Sequence, residues 1–212
     1  MKVAIRTAAL AVALGFAVAA CGNDAAEQNQ DAEQDQVADQ TQVAGQTEAA
    51  GQNQIERGKY LVDVIGCHDC HSPKNFTPEG IPVPDMSKAL SGYWASAAPP
   101  AFDKRALTPG NWYGMAPDLT AYAGPWGISY AANITPDEQT GIGLWTEDIF
   151  VAAIRTGKHM GAGRPILPPM PWHYYKNATD EDLKAIFAYL KSLPPIKNAV
   201  PAPVGPQDAA KM

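Results

Sequence analysis

The sequence predicts a mostly α-helical domain with a long irregular loop, preceded by a disordered leader. Three observations support this prediction. Three stretches have the apolar spacing and the end signals of helices, the segment between the first two is crowded with proline and glycine, and the N-terminal part is polar and acidic. With 212 residues the chain is long enough for one domain of ordinary size with tails.

The first helix is predicted over residues 55–65. Leu61, Val64 and Ile65 give it an approximate apolar face, while charged residues lie largely off that face. Gly58 interrupts this pattern. It either allows another helix to approach closely or simply weakens the helix.

Two further helices are predicted over residues 146–156 and 179–193. Thr146 and Thr179 are suitable N-caps, and acidic residues follow each of them in the first turn, where the helix dipole favours negative charge. Gly157 ends the first of these helices and Pro194-Pro195 ends the second. The buried stripe of the last helix is predicted to consist of Leu183, Ile186, Phe187 and Leu190.

The N-terminus has the features of an export signal over residues 1–20. Lys2 and Arg6 precede an apolar run that is too short to span a bilayer. The run ends in Val18-Ala19-Ala20-Cys21, which resembles a bacterial lipobox, so we predict cleavage before Cys21 and lipidation of its thiol. The alternative is an ordinary signal peptide that leaves Cys21 as a free thiol. Either way we expect export, and with lipid the protein is anchored at the periplasmic face of a bacterial membrane.

Residues 21–54 are predicted to be a disordered acidic linker after the lipidated cysteine. The segment is rich in Gln, Ala, Asp and Glu and holds no aromatic residue, so it cannot bury enough apolar surface to offset the entropy of ordering. A weakly amphipathic helix is the alternative. The linker holds seven acidic residues and no basic one, whereas the residues from 55 onward are nearly neutral and the whole chain has a formal net charge of −6. Without a basic stripe, a nucleic-acid partner is not expected.

Cys67-x-x-Cys70-His71 is the pattern that attaches a c-type haem covalently. Two thiols at this spacing can each add to one vinyl group of the porphyrin, and the next imidazole can bind the iron. We therefore predict one haem c, held by Cys67 and Cys70, with His71 as an axial ligand. A thioredoxin-like pair would need a βαβ pattern and zinc would need a second ligand pair. His68 is interpreted as an exposed helix residue.

Residues 72–144 form the long irregular loop. Prolines and glycines recur through it, with seven Tyr and Trp residues between them. A haem would give those rings a large apolar surface to pack against, which would explain how so long a loop is stable. Short helices or a small hairpin are expected within it, at positions that the sequence does not specify.

Met170 is the candidate for the second iron ligand. It lies in Leu167-Pro168-Pro169-Met170-Pro171-Trp172, where flanking prolines would hold a thioether at a fixed depth. The alternative is that Met170 merely fills a gap in the core. Other residues that could serve as the ligand are Met86, Met115, Met160, His159 and His173.

Several stretches together resemble the class I c-type cytochromes. More narrowly, they resemble the haem domains of bacterial alcohol and aldehyde dehydrogenase cytochrome c subunits. Besides the haem motif, these stretches are Arg57-Gly58-Lys59-Tyr60-Leu61, Asn133-Ile134-Thr135-Pro136-Asp137, Thr140-Gly141-Ile142-Gly143, Arg155-Thr156-Gly157-Lys158-His159, Pro168-Pro169-Met170-Pro171-Trp172 and Thr179-Asp180-Glu181-Asp182-Leu183. The resemblance implies a cytochrome c-like domain, placed over residues 55–198, with Met170 as axial ligand. From their composition, residues 199–212 are predicted to be a Pro/Ala-rich tail.

The same resemblance implies an electron carrier that is not an enzyme. Its partners would be a dehydrogenase, an oxidase or another cytochrome, and the lipid would hold it at the membrane. The alternatives are a haem enzyme or gas sensor with an open iron site, and a fixed electron-transfer subunit of a dehydrogenase or oxidase complex. Four basic residues near the Met170 loop are either a docking patch for an acidic partner or scattered solvated charge: Arg155, Lys158, Arg164 and Lys176.

Overall fold

The computed structural model describes residues 50–98 and 101–212. Helix α1 is helical from residue 50, the first described residue, to residue 64. The predicted linker over 21–54 is therefore wrong at its C-terminal end, because residues 50–54 belong to this helix. The predictions for the signal segment, for Cys21 and for the rest of the linker lie outside the described residues.

The other helices are short or of moderate length. They are α2 at Cys67–His71, α3 at Glu147–Thr156, α4 at Trp172–Tyr175, α5 at Asp180–Ser192 and α6 at Pro206–Ala209. None of the helices in the described ranges is both long enough and apolar enough to cross a bilayer.

The caps predicted for α3 and α5 are confirmed. The hydroxyl of Thr146 accepts a hydrogen bond from the Ile149 N–H, and the hydroxyl of Thr179 accepts one from Asp182. Gly157 ends α3 in the left-handed conformation with φ of 65°, which a residue without Cβ adopts at little cost. Local sequence therefore fixes both ends of α3 and the start of α5.

One apolar core joins α1, α3 and α5. Its buried members are Val62, Leu90, Ile142, Phe150, Ile154, Leu183, Ile186, Phe187 and Leu190. Burying each of the large side chains contributes about 1.5–3 kcal/mol. All four residues of the predicted stripe on α5 are in this core, whereas Leu90 and Ile142 come from the irregular segment.

Gly58 allows close contact between α1 and α5, which is one of the two roles considered from the sequence. A Cβ at residue 58 would lie 1.9 Å from the carbonyl oxygen of Ala185 and 2.8 Å from Cβ of Tyr189. Since that oxygen belongs to the backbone of α5, no rotamer change could relieve the overlap. The two helices approach this closely because the residue is glycine.

The segment over 72–144 contains two small antiparallel sheets. Strands β1 (Lys74–Phe76) and β2 (Pro82–Pro84) form a hairpin. Strands β3 (Gly114–Met115), β4 (Ala121–Gly124) and β5 (Gly127–Tyr130) form a three-stranded meander. The described chain thus combines helices with small sheets, and the prediction of a mostly α fold omitted the meander.

The C-terminal segment packs against this meander, where the sequence predicted only a tail over 199–212. Val204 and Ile128 exchange two backbone hydrogen bonds of 2.8 and 2.9 Å. Ala209 of α6 is fully buried beside Ile128 and Ala123. The composition suggested a tail because alanine and proline carry little apolar surface, yet pairing with β5 satisfies this backbone.

A buried polar network closes the loop before α3. The Asn133 amide nitrogen donates to the Ile196 carbonyl at 2.8 Å, and its oxygen accepts from the Thr135 hydroxyl at 2.7 Å. Asn198 donates to the carbonyls of Ser91 and Tyr93, both at 2.8 Å. The Asn133–Asp137 stretch quoted for its resemblance therefore has a structural role here.

Candidate haem-attachment site

Helix α2 carries both cysteines and His71. Gly66 precedes it with φ of 72°, so the chain turns sharply between α1 and α2. Residues three apart on a helix share a face, which puts Cys67 and Cys70 side by side. Both are free thiols. Two unbonded thiols next to an imidazole are the donor set that covalent haem attachment requires.

The His71 ring is oriented by a backbone carbonyl. Its Nδ1 lies 2.8 Å from the oxygen of Ala132, and a carbonyl can only accept, so Nδ1 carries the proton. In the neutral ring the other nitrogen, Nε2, is then free of a proton and able to bind a metal. Burial lowers the pKa of His71, which favours this neutral form.

The Ala132 carbonyl is held in place by a close backbone contact at Gly92. The Gly92 N–H donates to the His71 carbonyl at 2.7 Å, and Tyr93 N–H donates to the Ala131 carbonyl at 2.9 Å. Gly92 has φ of 78°, and a Cβ there would lie 2.6 Å from the Ala132 oxygen. A residue with a side chain at position 92 would therefore displace the carbonyl that orients His71.

The two cysteines have different surroundings. Cys67 packs against the apolar core, and burial raises the pKa of its thiol to about 12. Cys70 Sγ lies 3.1 Å from the hydroxyl oxygen of Tyr122 on β4. That hydroxyl donates its single proton to the Leu119 carbonyl at 2.6 Å, so the thiol is the donor to Tyr122. Conversion of Cys70 to a thioether would leave the Tyr122 hydroxyl still satisfied by Leu119, which fits haem attachment.

Met170 packs against the same apolar core as Cys67. The loop that carries it contains a cis peptide bond between Pro168 and Pro169. After the loop, the Tyr175 hydroxyl donates to the Ile65 carbonyl at 3.3 Å, two residues before Cys67. The tertiary fold thus brings the predicted second ligand to the core that borders the haem motif.

The rival candidates for the second ligand lie at the surface. Met86 and Met115 are 65% and 67% exposed, and Met160 is also exposed. His159 is an exposed residue that stacks edge-on against Trp145, with ring centres 5.2 Å apart. Met170 is thus the candidate that shares the apolar core with Cys67 of the predicted haem motif.

His68 is not the exposed helix residue that the sequence suggested. Its side chain is only 15% exposed. Its Nδ1 lies 2.9 Å from the Ser72 hydroxyl, which also accepts from the Leu90 N–H at 2.9 Å. His68 therefore helps to hold the chain that leaves α2, and burial lowers its pKa. The Ser72 hydroxyl that His68 contacts also bonds Leu90, 18 residues further along the chain, and this tertiary contact could not be predicted from local sequence.

The basic residues near the Met170 loop are partly neutralised. Arg155 pairs with Asp180 at 2.5 Å and also donates to the carbonyl of Lys176. Lys158 and Arg164 are exposed residues. Arg155 thus joins α3 to the start of α5, and a docking patch, one of the two interpretations of these basic residues, would have one free charge fewer. Within the described ranges, no three His, Cys, Asp or Glu side chains cluster as metal ligands would.

Comparison with known proteins shows which proteins this chain is similar to. No family model matches the chain. The cytochrome c subunit of gluconate 2-dehydrogenase from Pantoea cypripedii is 31% identical over 137 residues, which cover 64% of this chain and 22% of that protein. The cytochrome c subunit of alcohol dehydrogenase (quinone) from Gluconacetobacter polyoxogenes is 31% identical over 148 residues, covering 68% of this chain and 25% of that protein. The cytochrome subunit of fructose dehydrogenase from Gluconobacter japonicus is 40% identical over 70 residues, or 33% of this chain and 14% of that protein.

The chain is thus a homologue of cytochrome c subunits of bacterial dehydrogenases, and the resemblance predicted from the sequence is confirmed at that level. It spans a quarter or less of the length of the three relatives named above.

Proposed function

We propose that this protein is a single-haem cytochrome c of class I that carries single electrons between redox partners outside the cytoplasm, one of them a dehydrogenase. The observation that carries the proposal is the pairing of Cys67-x-x-Cys70-His71 on α2 with a His71 ring whose Nδ1–H is donated to the Ala132 carbonyl. The relatives, which are cytochrome subunits of dehydrogenases, support the kind of partner.

The residues of the site fit a covalently bound haem c. Cys67 and Cys70 would hold it through thioethers, and His71 and Met170 would be the axial ligands of the iron. The haem supplies a one-electron couple between ferric and ferrous iron. The chain keeps His71 neutral and oriented, keeps the thioether of Met170 against apolar side chains, and thereby sets the redox potential. Because His71 and Met170 would both bind the iron, no position would be left for a substrate, and the proposed role is that of an electron carrier rather than an enzyme.

The location of the protein is part of the proposal. An export signal over residues 1–20 and lipid on Cys21 would place the haem domain at the periplasmic face of a bacterial membrane, with the following acidic segment as tether. Mass spectrometry of the mature N-terminus tests this directly. A diacylglyceryl cysteine at residue 21 is expected, and Cys21→Ser should release the protein from membranes. An unmodified N-terminus at another residue would contradict the anchor.

The test of the electron-carrier function is an optical spectrum of the purified protein, oxidised and reduced, with carbon monoxide added to the reduced form. A low-spin c-type spectrum, a far-red sulfur-to-iron band and no carbon monoxide binding are expected. Met170→Ala should abolish the far-red band, whereas the exposed Met86→Ala should leave it unchanged. A high-spin ferrous form that binds carbon monoxide would contradict the carrier and favour an enzyme or sensor with an open iron.

A fixed subunit of a dehydrogenase complex is the second candidate, because the relatives are themselves subunits. Purification from the native membrane separates it from a mobile carrier. A dehydrogenase that remains bound through chromatography at high salt indicates a fixed subunit, and a free monomer indicates a shuttle.

A further inference from the structure

We propose that Ser129 is a positioning residue that sets the placement of Met170 through the Pro168 carbonyl. The inference deepens the proposed function and rests on it, because it concerns how the second iron ligand is held.

The hydrogen bonds of Ser129 have fixed directions. Its Oγ lies 2.6 Å from the Pro168 carbonyl oxygen and 3.1 Å from Nε1 of Trp126. The carbonyl can only accept and the indole N–H can only donate, so the hydroxyl accepts from Trp126 and donates its proton to Pro168. Ser129 is 7% exposed, so water competes little for either bond.

The loop around Met170 depends on a donor from elsewhere in the chain. Pro168, Pro169 and Pro171 have no backbone N–H, so this stretch offers carbonyl acceptors but few donors of its own. The loop entry is held by Ile166, whose N–H donates to the Gly157 carbonyl at 2.7 Å. Ser129 supplies the hydrogen bond two residues before Met170 itself.

Trp126 is held firmly enough to orient Ser129. Its ring lies over Gly124, where a Cβ would come within 2.4 Å of two ring carbons. Tyr113 contacts the same ring edge-on, with ring centres 5.0 Å apart. The indole N–H therefore has a defined position from which it donates to Ser129.

The register of the meander links both halves of the site. Tyr122 on β4 is the direct cross-strand partner of Ser129 on β5. Directly opposed residues of an antiparallel pair lie on the same face of the sheet. One of this pair contacts Cys70 and the other holds the Met170 loop. The sheet therefore connects the candidate haem-attachment cysteine Cys70 to the loop of the proposed axial ligand.

The test compares variants of the full-length protein loaded with haem. In Ser129→Ala, the loop loses one buried hydrogen bond, and we expect about a fivefold increase in the fraction of molecules with Met170 off the iron. The readouts are the far-red band per haem, the rate of carbon monoxide binding to the ferrous form and the midpoint potential, which should fall. Ser129→Thr keeps the hydroxyl and should restore all three.

The matched control is Ser91→Ala. Ser91 is also buried and donates to a carbonyl, that of Lys88 at 2.8 Å, but it does not contact the Met170 loop. If Ser129→Ala changes the three readouts no more than Ser91→Ala does, the positioning role is overturned while the proposed function stands. If the unmodified protein lacks the far-red band, the proposed function itself fails.

Trp126→Phe covers the case in which Ser129→Ala does not take up haem. This variant keeps an aromatic ring of smaller size and removes the donor to Ser129 together with part of the ring that lies over Gly124. A smaller change in the same direction supports the proposal, and an unchanged band and potential overturn it.

Discussion

The helical core and the sheet-bearing segment over 72–144 are stabilised in different ways. The helical core buries large aliphatic and aromatic side chains, among them Leu183, Phe187 and Leu190. The two clusters around the meander bury mainly alanines, with Tyr93 and Ile128 as their large members. Polar residues that are hydrogen-bonded complete the latter region, among them Thr120, Ser129, Asn133 and Thr135.

This difference shows how one chain combines a helical core with a hydrogen-bonded sheet region beside it. Apolar burial is strong and non-directional, so it brings helices together irrespective of the loops that connect them. Hydrogen bonds contribute less net free energy but need defined partners, so they fix positions. In this protein Cys67 and Met170 pack against the apolar core, and hydrogen bonds from the sheet-bearing segment, those of Ala132 with His71 and of Ser129 with Pro168, fix positions in the haem motif and the Met170 loop.

The largest effect is expected from a truncation in the helical core. Leu183→Ala removes a side chain that is 1% exposed and should lower the free energy of unfolding by about 2–5 kcal/mol. Chemical denaturation followed by far-ultraviolet circular dichroism measures it. Leu144→Ala is the control, because Leu144 is 71% exposed and its truncation should change stability by less than about 0.5 kcal/mol. Equal effects of the two variants would contradict the assignment of the core.

A smaller loss is expected from the polar network. Asn198→Ala removes the side chain that bonds Ser91, Tyr93 and the Ala95 N–H, and it should cost about 1–3 kcal/mol. Asn111→Ala, which removes an exposed amide, is the matched control. Near-ultraviolet circular dichroism of the tyrosines reports on the sheet-bearing segment. A loss larger than that of Leu183→Ala would mean that the two regions do not differ in the way described.

The smallest effect is expected from Asp137 and depends on pH. The Thr140 hydroxyl donates to this carboxylate at 2.6 Å and its N–H at 2.7 Å, which holds the pKa of Asp137 below its ordinary value. Because the folded-state pKa is the lower one, the stabilisation is full above about pH 4 and is lost as the pH falls through the folded-state pKa.

Asp137→Asn should therefore unfold at a lower temperature than the unmodified protein at pH 7, and the gap should narrow below about pH 4. Glu138→Gln removes the exposed neighbouring carboxylate and serves as the control. The measurement is the unfolding temperature of both variants and of the unmodified protein at a series of pH values. If the difference in unfolding temperature between Asp137→Asn and the unmodified protein does not change with pH, the charge of the carboxylate is not what stabilises the loop.

The parts of the fold that the sequence predicted well are those that depend on neighbours in the chain. The caps of α3 and α5 and the stripe on α5 follow from local spacing, because a helix makes its backbone hydrogen bonds within four residues. The meander was missed because β4 is the short stretch Ala-Tyr-Ala-Gly, whose partners lie elsewhere in the chain and whose buried side chains are too small to give a clear alternation.

By itself the sequence determined the haem motif, the end signals of α3 and α5, and the apolar stripe of α5, since each depends on residues within a few positions of one another. Only the tertiary structure decided that Ala132 orients His71, that Tyr122 meets Cys70, and that the C-terminal segment pairs with β5. The reason is physical: these contacts join residues 50 or more positions apart, and a hydrogen bond to a backbone carbonyl leaves no mark on the identity of the residue that supplies it.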